Sequence, residues 1–327
     1  MSTSTRIPTP LRGHDSARRG LLFLTATGLS WGTTGAAADL VYRLGDMGPA
    51  AVSFWRHLGG LVLLGAFTVL RPRRGGRPTG ATGRQGLGPL RTPPRRLGLL
   101  IAIGVGMAVF QTAYFAAVEA TGVAVATIVT LGSGPVLTAL GGRALLAERV
   151  GGAGAAAMAG ALLGLGVLVG ANAEGVVRPS GVALGLLSAG GYAAVTLLSR
   201  SAGRGSDAVA PAALTLWSFG VGAAVLFPLA WLEGLLPQGE GLWPTAGVLL
   251  YMALFTTALA YPLYFAGTAR VCAATASVMM LLEPATAALL AVAFLGERLT
   301  AATATGTALL LASIVGLALA ESRRRTG

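Results

Sequence analysis

Lysine is absent from this chain of 327 residues, histidine occurs twice, cysteine once, and only 11% of residues are charged. Each scarcity excludes something. Without lysine there is no phosphate-binding P-loop, and neither HExxH nor a Cys/His cluster at metal-ligand spacing occurs. The single Cys272 cannot form an intrachain disulfide and reads as a packing residue. "GLSWG" at 28–32 looks superficially like a nucleophile elbow, but it lies inside an apolar run without the strand–turn–helix setting that motif requires. The shortage of charge argues against a soluble globular domain. What fills the gap is apolar, with 54% hydrophobic residues and a mean hydropathy of +0.72. The 49 glycines suit helices whose backbones approach closely in lipid.

The net charge is +12 and every basic residue is arginine. In a soluble chain this balance would suggest nucleic acid; here the arginines sit in tails and between apolar runs, so no nucleic-acid partner is expected. Segments of the length needed to span a bilayer, about 20 residues, run over 20–41, 49–70, 97–118, 121–142, 151–171, 181–200, 209–232, 244–266, 271–294 and 301–320. The first is too long for the roughly 7–15-residue core of a signal peptide, so the polar tail before it is read as retained. With that tail inside the cell, 20 of the 24 arginines are intracellular, against Arg43, Arg178 and Arg298 outside and Arg56 within a span. This asymmetry favours an inner or plasma membrane protein with both termini cytoplasmic. Residues 71–96, rich in Arg, Gly and Pro without apolar periodicity, are expected to be a disordered cytoplasmic loop.

The chain repeats itself. "PAAVSFWRHLGG" at 49–60 is nearly copied as "PAALTLWSFGVG" at 211–222, with Ser218 in place of Arg56. "QTAYFAA" at 111–117 parallels "YPLYFAG" at 261–267, and Pro135 and Pro284 each stand 13 residues before Glu148 and Glu297. Three anchors in the same order predict two five-helix repeats, over 20–171 and 181–320, flanked by tails at 1–19 and 321–327. Five spans is an odd number, so the second copy enters the membrane from the opposite side. The expected fold is an all-α polytopic membrane protein of ten transmembrane helices in two inverted-topology repeats, a construction recurrent in secondary transporters.

These residues resemble the EamA-type family of the drug/metabolite transporter superfamily. The likeness is carried by "LSWGTTGAA" at 29–37, "SFWRHLGG" at 53–60 and, most specifically, "LEP" at 282–284 followed by "LGERLT" at 295–300. The resemblance implies export or exchange of amino acids, other small metabolites or drugs. It also implies that helices one to four and six to nine surround a cavity, with five and ten peripheral. The first copy departs from the second in having Gly134 where the second has Glu283, and "AERV" at 147–150 where the family more often reads like "GERL".

Arg56 lies about seven residues into its span, where a charge costs roughly 2.5–3.5 kcal/mol. Either it contacts substrate, or it snorkels or locks helices. His57 and Glu283 are candidate proton carriers; the competing readings are a neutral histidine bonded to a carbonyl and a carboxylate serving as a structural partner. Gln111 with Tyr114, and Tyr261 with Tyr264, share a helix face at i, i+3. With Trp31 and Trp217 they are candidates to line a substrate cavity, against the alternative of interhelical packing. Pro135, Glu148, Arg149, Pro284, Glu297 and Arg298 recur at matching places and are assigned gating or structural roles.

The expectation is therefore a transporter and not an enzyme, moving a small amino-acid-like or amphipathic molecule by alternating access with proton coupling. No cofactor, metal or catalytic residue is called for; the partners are the substrate, the lipid bilayer and protons, and a homodimer is admitted. An uncoupled uniporter or exchanger, a receptor or scaffold without flux, and an intramembrane enzyme are the alternatives.

Overall fold

The structure, a computed structural model, describes residues 12–45, 47–70, 94–121, 123–170, 178–204, 208–237, 241–294 and 300–323. Within them the chain forms ten rods and no strand. Seven rods are single helices: α3 (Pro49–Leu70), α4 (Pro94–Thr121), α5 (Val123–Leu146), α6 (Gly152–Gly170), α7 (Pro179–Ala202), α8 (Pro211–Glu233) and α13 (Ala301–Arg323). These are rods 2 to 7 and rod 10. The other three are interrupted. Rod 1 joins α1 (Arg12–Gly32) to α2 (Thr34–Gly45), rod 8 joins α9 (Leu242–Tyr251) through a π-helical segment (Met252–Leu259) to α10 (Ala260–Thr268), and rod 9 joins α11 (Ala273–Met279) to α12 (Leu282–Phe294). Rods 2, 3, 6, 7 and 8 are long and apolar enough on their own to cross a membrane, and prolines at the first position of α3, α7 and α8 start helices where an N–H would have no partner.

The packing has the symmetry that the repeats predict. Rod 6 lies against rods 3 and 4, and its counterpart rod 1 lies against rods 8 and 9; rod 7 touches rod 3 as rod 2 touches rod 8. Rods 2 and 7, 4 and 9, and 5 and 10 pair with their own equivalents. Exchanging the halves thus maps the contact pattern onto itself, and a two-fold axis lying between the halves is the arrangement that does so.

Small residues set the closest approaches. A Cβ on Gly191 of α7 would stand 3.0 Å from the Phe110 backbone nitrogen and 3.1 Å from the Gly106 carbonyl of α4. One on Gly164 of α6 would meet the Leu310 nitrogen of α13 at 2.8 Å. Backbone atoms cannot swing aside, so glycine is required at both crossings.

The interruptions have local causes. At Thr33 both the backbone N–H (3.2 Å) and the hydroxyl (2.7 Å) bond to the Ser30 carbonyl, tightening the turn and ending α1. In rod 9 the missing N–H of Pro284 leaves the Met280 carbonyl without its helical donor, and Glu283 N–H takes it instead at 3.0 Å. Pro135, its counterpart in rod 4, sits inside an unbroken helix.

Candidate functional site

A cavity of about 220 Å³ lies between the two halves. Among the described residues seven rods reach it: Trp31, Thr34 and Ala38 from rod 1, Val52, Ser53 and Arg56 from rod 2, and Phe110, Gln111 and Tyr114 from rod 3. Leu131 and Pro135 of rod 4, Tyr192 of rod 6, Met252 and Tyr261 of rod 8, and Ser277, Met280, Leu281 and Glu283 of rod 9 complete it. The lining is apolar and aromatic with a few converging polar groups, the composition of a small-molecule site.

Two charges face this space from opposite halves. Arg56 comes from α3, and its Nε is buried without a hydrogen-bond partner among the described residues. Glu283 stands in the first turn of α12, where an acidic side chain complements the positive helix end. Among the described residues no ion pair joins the two, and the Glu283 carboxylate takes part in no hydrogen bond. Both residues line the cavity.

Aromatic side chains form one wall. The Trp31 ring lies 4.9 Å from that of Tyr261 and 5.3 Å from that of Tyr264. Its indole Nε1 donates to the Thr256 carbonyl at 3.0 Å, in the π-helical segment, and Ser30 Oγ donates to the neighbouring Phe255 carbonyl at 3.0 Å. A π-helical stretch leaves carbonyls misaligned for helical bonds, and rod 1 satisfies two of them. Tyr114 shares a hydrogen bond of 2.9 Å with Thr127 of rod 4.

Other expected residues lie outside the cavity. His57 is buried behind it, with Nδ1 2.8 Å from the Ser53 carbonyl one turn earlier and Nε2 3.4 Å from Gln111 Nε2. Trp217 packs at the edge of the core, its Nε1 buried without a hydrogen-bond partner among the described residues. Among the described residues rod 7 contributes nothing to the lining, unlike the eight-rod enclosure expected from the family likeness. The reason is that α8 lies behind α3, where Phe219 meets both His57 and Tyr261 edge-on. Tyr264 is completely buried beside the cavity, its hydroxyl paired at 2.7 Å with Thr196.

One end of the molecule is tied together by Glu148, which sits in the turn after α5. Ala147 adopts a left-handed conformation (φ 52°) there, and the Glu148 N–H reaches back to the Gly142 carbonyl at 3.0 Å. One carboxylate oxygen accepts from Arg200 Nε and from Arg204 (3.2 Å); the other accepts from the Ala273 N–H at the start of α11 (2.9 Å). Arg200 also donates to the Thr268 carbonyl of rod 8 at 2.7 Å. Rods 4, 6 and 9 are thereby joined at a single carboxylate, and rod 8 is tied in through Arg200. Arg149 takes no part in this clamp; it is exposed and borders a shallow crevice beside Cys272. Glu297 and Arg298 lie outside the described residues.

Sequence reasoning missed Ser53, Thr34, Phe110, Tyr192 and Ser277 of the lining. Ser53 was within reach, standing one turn before Arg56 on the same helix face; the others carry no signal that separates them from packing residues.

Comparison with known proteins places this geometry. The model of the EamA-like transporter family matches residues 18–170 and again 179–319. An uncharacterized transporter of Bacillus subtilis (strain 168), YwfM, is 29% identical over 310 residues, which is 93% of this chain and 95% of that protein. An uncharacterized transporter of Archaeoglobus fulgidus is 28% identical over 215 residues, covering 64% of this chain and 74% of its own. A protein of known crystal structure superposes with a TM-score of 0.75 at 21% identity, covering 94% of this chain and 99% of its own, a likeness of fold.

Proposed function

The chain belongs to the EamA-like transporter family, a multi-pass membrane transporter rather than an enzyme, and we propose that it exports or exchanges a small amphipathic, amino-acid-like metabolite by alternating access through the central cavity. The observation that carries this reading is the pair Arg56 and Glu283. They come from different repeats, face one cavity, and are not bonded to each other. An arginine at that depth costs about 2.5–3.5 kcal/mol, and a bound anion would offset part of that cost. Arg56 suits a carboxylate of the transported molecule. The Trp31–Tyr261 wall suits its apolar part.

Glu283 is the proton carrier in this proposal. A carboxylate that faces solvent on one side of the cycle and substrate or Arg56 on the other exchanges its proton as its surroundings change. His57 is set aside from this role, because it is walled off from the cavity. By the distribution of arginine, the protein sits in the inner or plasma membrane with its termini in the cytoplasm, and the clamped end faces inward.

The test is flux in proteoliposomes with amino acids and amphipathic cations, with and without an imposed pH gradient, for wild type, Glu283→Gln and Arg56→Ala. Gradient-driven accumulation that disappears in Glu283→Gln supports the proposal, and Arg56→Ala should weaken uptake of carboxylate-bearing substrates at least tenfold. Gradient-insensitive exchange would remove the proton and keep the transporter. Absence of flux for every compound by folded protein would overturn the substrate class.

A further inference from the structure

We propose that His57 is a positioning residue that fixes which end of the Gln111 amide faces the cavity, so that the transported molecule meets a hydrogen-bond acceptor there. The proposal rests on the reading of this cavity as the transport site. His57 is 2% exposed and no part of the lining, whereas Gln111 is a lining residue. Nδ1 of His57 lies 2.8 Å from the Ser53 carbonyl. A carbonyl only accepts, so Nδ1 carries the ring proton. In a neutral imidazole the other nitrogen is then an acceptor, and its neighbour at 3.4 Å is the Gln111 side-chain amide. An amide meets an acceptor through its NH₂ group. Its Oε1 must then point away from the ring, toward the cavity.

The ring is held so that it cannot reverse this order. Phe219 packs edge-on against it, with centroids 5.2 Å apart. Gly222 of α8 leaves room for it: a Cβ there would stand 2.7 Å from the imidazole Cδ2 and 3.0 Å from Nε2. A free glutamine amide can turn either end outward, and the two ends select opposite ligand groups. With His57 behind it, Gln111 presents an acceptor on the arginine-bearing half of the cavity. Arg56 is left as the donor beside it, and a molecule carrying both a carboxylate and an N–H donor satisfies the two together.

The test has two arms. In His14→Gln protein, His57 is the sole histidine, and ¹⁵N NMR of the imidazole-labelled protein reads its tautomer directly. The expected spectrum shows a protonated Nδ1 and an unprotonated Nε2, with Gln111→Ala moving the Nε2 resonance and sparing Nδ1. A protonated Nε2, or an Nε2 indifferent to Gln111→Ala, would overturn the proposal. The second arm titrates phenethylammonium and phenylacetate against tryptophan fluorescence. His57→Phe keeps the ring contacts and deletes the Nε2 acceptor, and should change the ratio of the two apparent Kd values by about tenfold, the scale of one hydrogen bond to a charged group. An unchanged ratio would show that His57 is structural only. Failure of both probes to bind wild type would count against the transport site while leaving the amide orientation to be decided by NMR.

Discussion

Glu148 shows how much one residue can organise. Both its oxygens are engaged by partners 52, 56 and 125 positions away, and Arg200 is nearly buried. Removing one member of a buried pair costs more than removing both, because the survivor keeps an uncompensated charge; the penalty is about 3–5 kcal/mol. Glu148→Gln should therefore lower the Tm in detergent markedly, and adding Arg200→Met should recover a good part of the loss. Additive losses in the double variant would mean that the pair is not coupled. The sequence marks Glu148 through its repetition as Glu297, yet hides its partners, since nothing local connects residue 148 to residues 200 and 273. The same blindness affected the cavity: Arg56 and Glu283 stand out because charge is costly in a span, while Tyr192 and Ser277 look like any packed residue until the rods are assembled.

Among the elements, rod 8 carries a feature that its counterpart lacks. Rod 3 is α-helical throughout, whereas rod 8 contains the π-helical segment Met252–Leu259. Such segments arise when a helix accommodates an extra residue by underwinding, so deleting one residue should restore the α-helical ladder while leaving the residues beyond it on nearly the same face. We expect deletion of Ala258 to keep Tyr261 at the cavity but to withdraw the carbonyls that Trp31 and Ser30 bond, lowering flux while the protein still folds; undiminished flux would show that the segment is incidental. The ten spans were legible as runs of apolar residues, and of the three interruptions only the one at Pro284 was legible from local chemistry; the break at Thr33 falls within a segment read as one continuous span. The π-helical segment was not legible, because rod 1 stabilises it by offering Trp31 and Ser30 to its carbonyls, a relation between parts of the chain about 225 residues apart.

For the whole molecule, the clamp and the cavity define a direction. The lining extends to Ala38 and Val52, toward the end remote from Glu148, while Cys272 lies at the clamped end. In a Cys272→Ser background, Ala38→Cys should react with an impermeant maleimide applied from the face opposite the N-terminal tail. In the wild type, Cys272 should react slowly, and several-fold faster once Glu148→Gln releases the clamp. Resistance at Ala38→Cys, or no change at Cys272, would contradict the facing inferred from the fold.

The interruptions of rods 1, 8 and 9, against the unbroken helices of rods 6, 3 and 4, bear on how the proposed cycle is timed. Were the two repeats identical in sequence, the inward- and outward-facing forms would be mirror occupants of one energy level, and the molecule would divide its time equally between them. Every place where the copies differ, Arg56 against Ser218, Glu283 against Gly134, lifts that degeneracy. The resting preference of the empty carrier is then a sum over mismatches between its own halves, and grafting residues that do not line the cavity from one repeat onto the other should retune the dwell time in each orientation without altering any contact with the cargo.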